Sequence, residues 1–155
     1  MINHPSILFV CLGNICRSPL AEAALRMAAE SDGLKLEVDS AGTGGWHIGK
    51  PPDSRAIAIA DAMGVDISGF RARQVEAADF NRFTHIFALD AQNLVDLIRI
   101  APLNASAQLS LLLDMVPGRE GQAVADPYYG ETDGFETTWR EVNEAAAALV
   151  KHFRI

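Results

Sequence analysis

A short apolar run, Ile7 to Val10, passes through one tight loop, Cys11 to Ser18, into an Ala-, Leu- and Glu-rich stretch, Pro19 to Glu30. A buried strand feeding a helix across so few residues is the opening of a β-α-β unit, and it commits the chain to parallel pairing. Ser18 is expected to cap this helix, with Pro19 in its first position and Glu22 completing a loose capping box. The alternation continues. Leu34 to Val38 reads as a half-buried strand, Asp53 to Met63 as a helix closed by Gly64, and His85 to Leu89 as a third strand. Gln92 to Ile100 reads as a helix, Leu109 to Leu113 as a fourth strand and Phe135 to Phe153 as a last helix. Ala41 to Pro52 and Val116 to Gly134 are Gly- and Pro-rich loops. This order predicts an α/β fold, a single domain over residues 1–155 with a four-stranded parallel sheet and helices on both faces. Ligands of such sheets bind beyond the carboxyl ends of the strands, which directs attention to the loops after the first and fourth strands.

Composition narrows the functional classes. At 155 residues, with 49% hydrophobic and 21% charged residues, the chain suits one soluble core. Its net charge of −7 argues against a nucleic-acid partner. No apolar run is long enough to cross a bilayer, and MINHPSILFV lacks the basic and apolar regions of a secretory signal, so no membrane partner and a cytoplasmic location are expected. The 2 cysteines, Cys11 and Cys16, do not form a disulfide framework, and the 4 histidines lack ligand spacing. Neither a metal nor a cofactor is expected. A monomer or weak dimer is.

The first loop carries chemistry. Cys11 and Arg17 frame it as C-x5-R, with Gly13 and Asn14 inside and Ser18-Pro19 after. A loop curling into a helix start can point its N–H groups inward as an anion cradle, aided by the helix dipole. Gly13 and Asn14 tolerate the left-handed conformations such a curl needs. Arg17 adds a planar fork that matches two phosphate oxygens. The same positive field favours the thiolate of a cysteine at the mouth, a nucleophile aimed at phosphorus, and a Ser18 hydrogen bond would steady that sulfur. Taken alone, Cys11 reads first as a small buried hydrophobe at a strand end, and it is the surrounding strand, Gly-Asn and Ser-Pro that favour the nucleophile. A nucleotide P-loop needs G-x-x-x-x-G-K-[ST], which the chain lacks.

VCLGNICRSPLAE resembles the signature of the low-molecular-weight protein tyrosine phosphatases, and the resemblance continues through DSAGT (Asp39 to Thr43), Ala72-Arg73-Gln74 and DPYYG (Asp126 to Gly130). It implies a flavodoxin-like, phosphatase I-like fold and hydrolysis of phosphate monoesters, chiefly protein phosphotyrosine and small aryl phosphates, through a phosphocysteine. It implies Cys11 as nucleophile, Arg17 as phosphate clamp and Asp126 as general acid. Leu12, Gly13, Asn14, Ile15, Cys16 and Ser18 then bind the phosphate, while Asn14, Ser18 and Ser40 support the loop.

An ester bond to phosphorus breaks more readily when a proton reaches the leaving oxygen. Asp126, stiffened by Pro127, is placed to deliver it, although Asp-Pro alone is an ordinary turn. Trp46, Tyr128 and Tyr129 are expected to wall a slot for an aryl ring. Cys16 borders the same cradle, where the positive field is expected to favour its thiolate too, and the resemblance implies that it captures oxidised Cys11 as a disulfide; a passive packing role is the alternative. Many relatives carry His where Phe70 stands, and Phe cannot donate the hydrogen bond that helps hold the Asn14 region. Arg55 and Asp90 read as helix-terminus charges outside the site. Three rival functions stay open: a phosphoarginine phosphatase, whose relatives carry Thr in place of Ile15; an arsenate reductase, which needs cysteines beyond Cys16; and a silent phosphate-binding module, expected to lose Cys11 or Asp126.

Overall fold

The computed structural model describes residues 4–128, 130 and 132–154. Four strands, β1 (Ser6–Cys11), β2 (Glu37–Gly42), β3 (His85–Ala88) and β4 (Gln108–Leu111), form one sheet in the order β2-β1-β3-β4. Every pairing is parallel. The helices are α1 (Arg17–Asp32), α2 (Ser54–Ala62), α3 (Asp79–Arg82), α4 (Ala91–Ile100) and α5 (Thr132–Phe153).

Residues on β1 alternate between two cores, as a strand buried on both faces must. Ile7, Phe9 and Cys11 face the core shared with α1, α2 and α5, where Leu20, Leu25, Ala56, Phe135 and Leu149 pack. Leu8 and Val10 face the opposite core with Phe80 of α3 and Leu97 of α4. Helices therefore cover both faces. The chain leaves β1 toward β2, then crosses back to β3 on its other side, so the strand order reverses at the carboxyl end of β1. That is the crevice where doubly wound sheets bind ligands, and Cys11 ends the strand beside it.

Three elements differ from the sequence expectation. The second strand is Glu37–Gly42, not Leu34–Val38. Leu34 and Leu36 pack against the α1/α5 core ahead of the sheet, and the paired residues are the polar-looking Asp39 and Ser40 with Ala41 and Gly42. The fourth strand ends at Leu111, after which Leu112–Met115 tighten into a 3₁₀ turn that drives Leu112 and Leu113 into the same core. The first helix begins at Arg17, and Cys16 at its cap position provides no side-chain cap. Ser18 and Glu22 are not a capping pair; both are engaged elsewhere, as described below.

Leu25 is fully buried where α1 meets α5. Leu25→Ala should lower unfolding free energy by about 2–5 kcal/mol, measured by urea denaturation, because a packed side chain and its contacts are removed together.

Candidate active site

The loop between β1 and α1 curls around Asn14, whose φ of 59° is the one positive value among described non-glycine residues. The side-chain amide of Asn14 is fully employed. Nδ2 donates to Ser18 Oγ at 2.8 Å and to Ser40 Oγ at 3.0 Å, and Oδ1 accepts the Arg73 amide at 3.0 Å. Ser40 in turn donates to Glu22 Oε1 at 2.8 Å, and Arg26 Nε donates to the other Glu22 oxygen at 2.9 Å. Burial pushes the Glu22 carboxyl upward, opposed by the Ser40 and Arg26 hydrogen bonds. This network holds the Asn14 region without any donor from Phe70, which instead packs against the α1/α5 core.

The back of the loop lies against Gly42, the last residue of β2. A Cβ there would stand 2.8 Å from the Leu12 carbonyl oxygen, so only glycine permits this approach. The Ala72-Arg73-Gln74 segment closes the same side. The Gly42 amide donates to the Arg73 carbonyl and the Val75 amide to the Gly42 carbonyl, both at 2.8 Å. The Arg73 guanidinium is held by Asp39 and Asp79.

Inside the curl, Cys11 Sγ lies 3.0 Å from Ser18 Oγ and accepts the Asn14 amide at 3.3 Å. Ser18 therefore addresses the sulfur rather than the helix end. The helix start carries no side-chain cap and no acidic residue in its first turn, which leaves its N–H groups for an anion. Arg17 is buried. Its NH1 donates to Asp90 Oδ2 at 2.8 Å and to the Val124 carbonyl at 3.1 Å, and its NH2 faces Asp126 Oδ2 at 3.5 Å.

These groups line a cavity of about 400 Å³ bounded by Cys11, Leu12, Gly13, Ile15, Cys16, Arg17, Trp46, His47, Asp126 and Tyr128. Asn14, Ser18 and Ser40 are not in its lining; they stand behind it. Trp46 is 69% exposed at the rim and the Asp126 side chain 43%. Tyr129 lies outside the described residues. The loop bearing Asp126 is tied to β3 by the Val124 amide donating to the Leu89 carbonyl at 2.8 Å, and to α5 by Thr138 and Glu141 at Ala125.

Two lining or bracing residues escaped the sequence. His47 lines the cavity and meets the Tyr128 ring edge-on at 6.5 Å; its place beside Trp46 in a Gly-rich loop was the available signal. Asp90 does cap α4, accepting the Asn93 amide at 2.7 Å, but its second oxygen also holds Arg17. Among the described residues, no group of His, Cys, Asp and Glu could hold a metal ion, and no helix is long and apolar enough to cross a membrane.

A sequence model of the low molecular weight phosphotyrosine protein phosphatase family matches residues 6–154. The chain belongs to this family. A Bacillus subtilis low molecular weight protein-tyrosine-phosphatase, YfkJ, is 46% identical over 147 residues, 94% of this chain and 93% of that protein. The family's Schizosaccharomyces pombe phosphatase is 41% identical, covering 87% of this chain and 88% of that one. Among solved structures, a drosophila arginine phosphatase superposes with a TM-score of 0.90 at 30% identity, over 96% of this chain and 98% of that one. The fold described above is thus that of a low molecular weight phosphatase.

One expectation reverses. Cys16 does not sit as a favoured thiolate. Burial pushes its thiol far up, and the neighbouring Asp53, Cys11 and Asp126 reinforce this against a smaller opposing pull from Arg55. Cys16 therefore stays protonated at neutral pH, so iodoacetamide should modify the native protein once and at Cys11, and Cys11→Ser should leave almost no labelling; intact mass reads the result.

Asn14 supplies both a left-handed backbone and an amide. Asn14→Gly keeps the first and loses the second, while Asn14→Ala loses both. Both variants should lower kcat/KM, with Asn14→Ala less stable than Asn14→Gly by about 1 kcal/mol in thermal unfolding.

Proposed function

We propose that this phosphatase hydrolyses phosphotyrosine in proteins and small aryl phosphates through a phosphocysteine intermediate. One observation carries the proposal: Cys11 Sγ, the uncapped start of α1, the Arg17 guanidinium and the Asp126 carboxyl converge on one cavity. In the first step the Cys11 thiolate attacks phosphorus while the ester P–O bond breaks. Asp126 gives its proton to the departing oxygen, which leaves as a neutral phenol. The Arg17 fork and the loop amides hold the phosphoryl oxygens, whose charge they stabilise as the group transfers. In the second step Asp126 takes a proton from water, the water oxygen attacks phosphorus, the P–S bond breaks, and the thiolate and inorganic phosphate are released.

Trp46 and Tyr128 at the rim suit an aryl ring, and Ile15 gives the wall an apolar, branched surface. The fold shared with an arginine phosphatase makes phosphoarginine the second substrate to test. A redox cycle extends the proposal. Peroxide oxidises Cys11 to a sulfenic acid, and the Cys16 thiol displaces its hydroxyl to form a disulfide with loss of water, which added thiol reverses.

Cys11→Ser should abolish turnover yet keep vanadate binding, and residual turnover within about tenfold of wild type would remove the covalent mechanism. Asp126→Ala should reduce kcat/KM on phenyl phosphate about 10²–10⁴-fold, and far less on dinitrophenyl phosphate, whose leaving group needs no proton. Phosphotyrosine peptides should be cleaved in preference to phosphoarginine peptides; the opposite order would exchange the two substrates.

A further inference from the structure

Asp126 is well exposed, and its side chain meets its own loop, through the Tyr128 amide at 3.1 Å, and Arg17 at 3.5 Å. Side-chain burial therefore does not fix its aim over the cradle. The placement of its loop does. The upstream half of that loop is anchored at Val124 and Ala125. The downstream half, Tyr128 to Gly130, is reached from across the cleft by Arg55 in the first turn of α2. Arg55 NH2 donates to the Tyr128 carbonyl at 2.9 Å, and NH1 donates to the Gly130 carbonyl at 3.0 Å.

The fork is itself held rigid. Arg55 Nε donates to Asp53 Oδ1 and NH2 to Asp53 Oδ2, both at 3.0 Å. Hydrogen bonding with Arg55 keeps the Asp53 carboxyl below its ordinary range, so the pair stays ionised through neutral pH. The guanidinium lies over the Phe135 ring at 4.7 Å and near the Tyr128 ring at 6.0 Å. Asp53 is also fastened to the cradle, since its amide donates to the Ile15 carbonyl at 2.8 Å. A continuous path thus runs from the phosphate loop at Ile15, through Asp53 and Arg55, to the backbone two residues beyond Asp126.

We infer that Arg55, oriented by Asp53, is a positioning residue that sets the height and angle of Asp126 over the phosphate cradle. The inference rests on Asp126 being the general acid. Arg55 does not itself line the cavity and reaches it only through Tyr128 of the Asp126 loop, so its effect must travel through that loop. A planar fork is required because it serves two carbonyls and a carboxylate at once. A lysine ammonium keeps the charge but not that geometry. Reaction rates are steep in such placement, with a displacement of about 1 Å costing roughly 10²-fold.

The test compares Arg55→Gln, Arg55→Lys, Asp126→Ala and Arg55→Gln/Asp126→Ala on phenyl phosphate and dinitrophenyl phosphate. Inhibition by inorganic phosphate and the melting temperature are measured alongside. Arg55→Gln should lose about tenfold or more in kcat/KM on phenyl phosphate, little on dinitrophenyl phosphate, and leave phosphate inhibition within about twofold. Arg55→Lys should fall between Arg55→Gln and wild type. In the Asp126→Ala background, Arg55→Gln should cost nothing further on either substrate.

An equal loss on both substrates, or a further loss in the Asp126→Ala background, overturns the inference and leaves Arg55 a general structural brace. Asp126→Ala separates the two levels. If it shows the graded loss and Arg55→Gln does not, the positioning role falls and the acid stands. If Asp126→Ala itself loses equally on both substrates, both fall together.

Discussion

The site depends on one side chain that never faces the cavity. Asn14 bends the backbone into the left-handed region and pins it there with three hydrogen bonds to Ser18, Ser40 and the Arg73 amide. A non-glycine residue in that conformation persists only where its surroundings over-determine it. Here they do: β2, the Arg73 segment and the first turn of α1 all close on the same amide. The Asn14 amide's contact with Cys11 and the Ser18 contact with the same sulfur follow from that bend. So does the close seat of the loop on Gly42. Phe70 offers no donor, yet the Asn14 amide is not short of a partner, because its two N–H groups and its oxygen are already used.

Electrostatics set the second constraint. An acidic chain must attract a dianion, and the cation inside the cavity wall, Arg17, is itself contacted by Asp90 and Asp126. The two carboxylates do different work. Asp90 is braced by capping α4 and keeps the guanidinium aimed. Asp126 stands at 3.5 Å on an exposed loop and can be displaced by an incoming phosphoryl group. In the proposed mechanism it enters the first step protonated, and in that state it does not repel the phosphate beside it.

Much of this was legible in the chain because local chemistry encodes it. Cys11 and Arg17 are separated by a fixed loop, and both follow from a strand feeding a helix. The sheet, its parallel sense and the helices on both faces followed from alternation alone. What escaped was long-range or double-duty. Asp90 reads as a helix cap because one of its oxygens is a cap, and nothing nearby in sequence says that the other reaches Arg17. Arg55 reads as a helix-end charge since its carbonyl partners at Tyr128 and Gly130 are distant in sequence. The second strand was displaced because Leu34 and Leu36 mimic strand alternation while packing ahead of the sheet, and Asp39-Ser40 looks like a turn. Cys16 was misjudged for a related reason: position in a positive loop suggests a thiolate, but burial beside Asp53 and Asp126 outweighs the field.

The bare start of α1 has a consequence for the whole molecule. Most helices satisfy their first N–H groups from within, with a serine, threonine or aspartate. This one turns Ser18 toward sulfur instead, so a bound oxyanion supplies the missing acceptor atoms and becomes part of the helix. Occupancy and folding are then thermodynamically linked: whatever fills the cradle adds its binding free energy to the native state. Substrate, released product and any tetrahedral mimic all act as stabilisers of the fold, and the protein's resistance to unfolding follows the phosphate concentration around it.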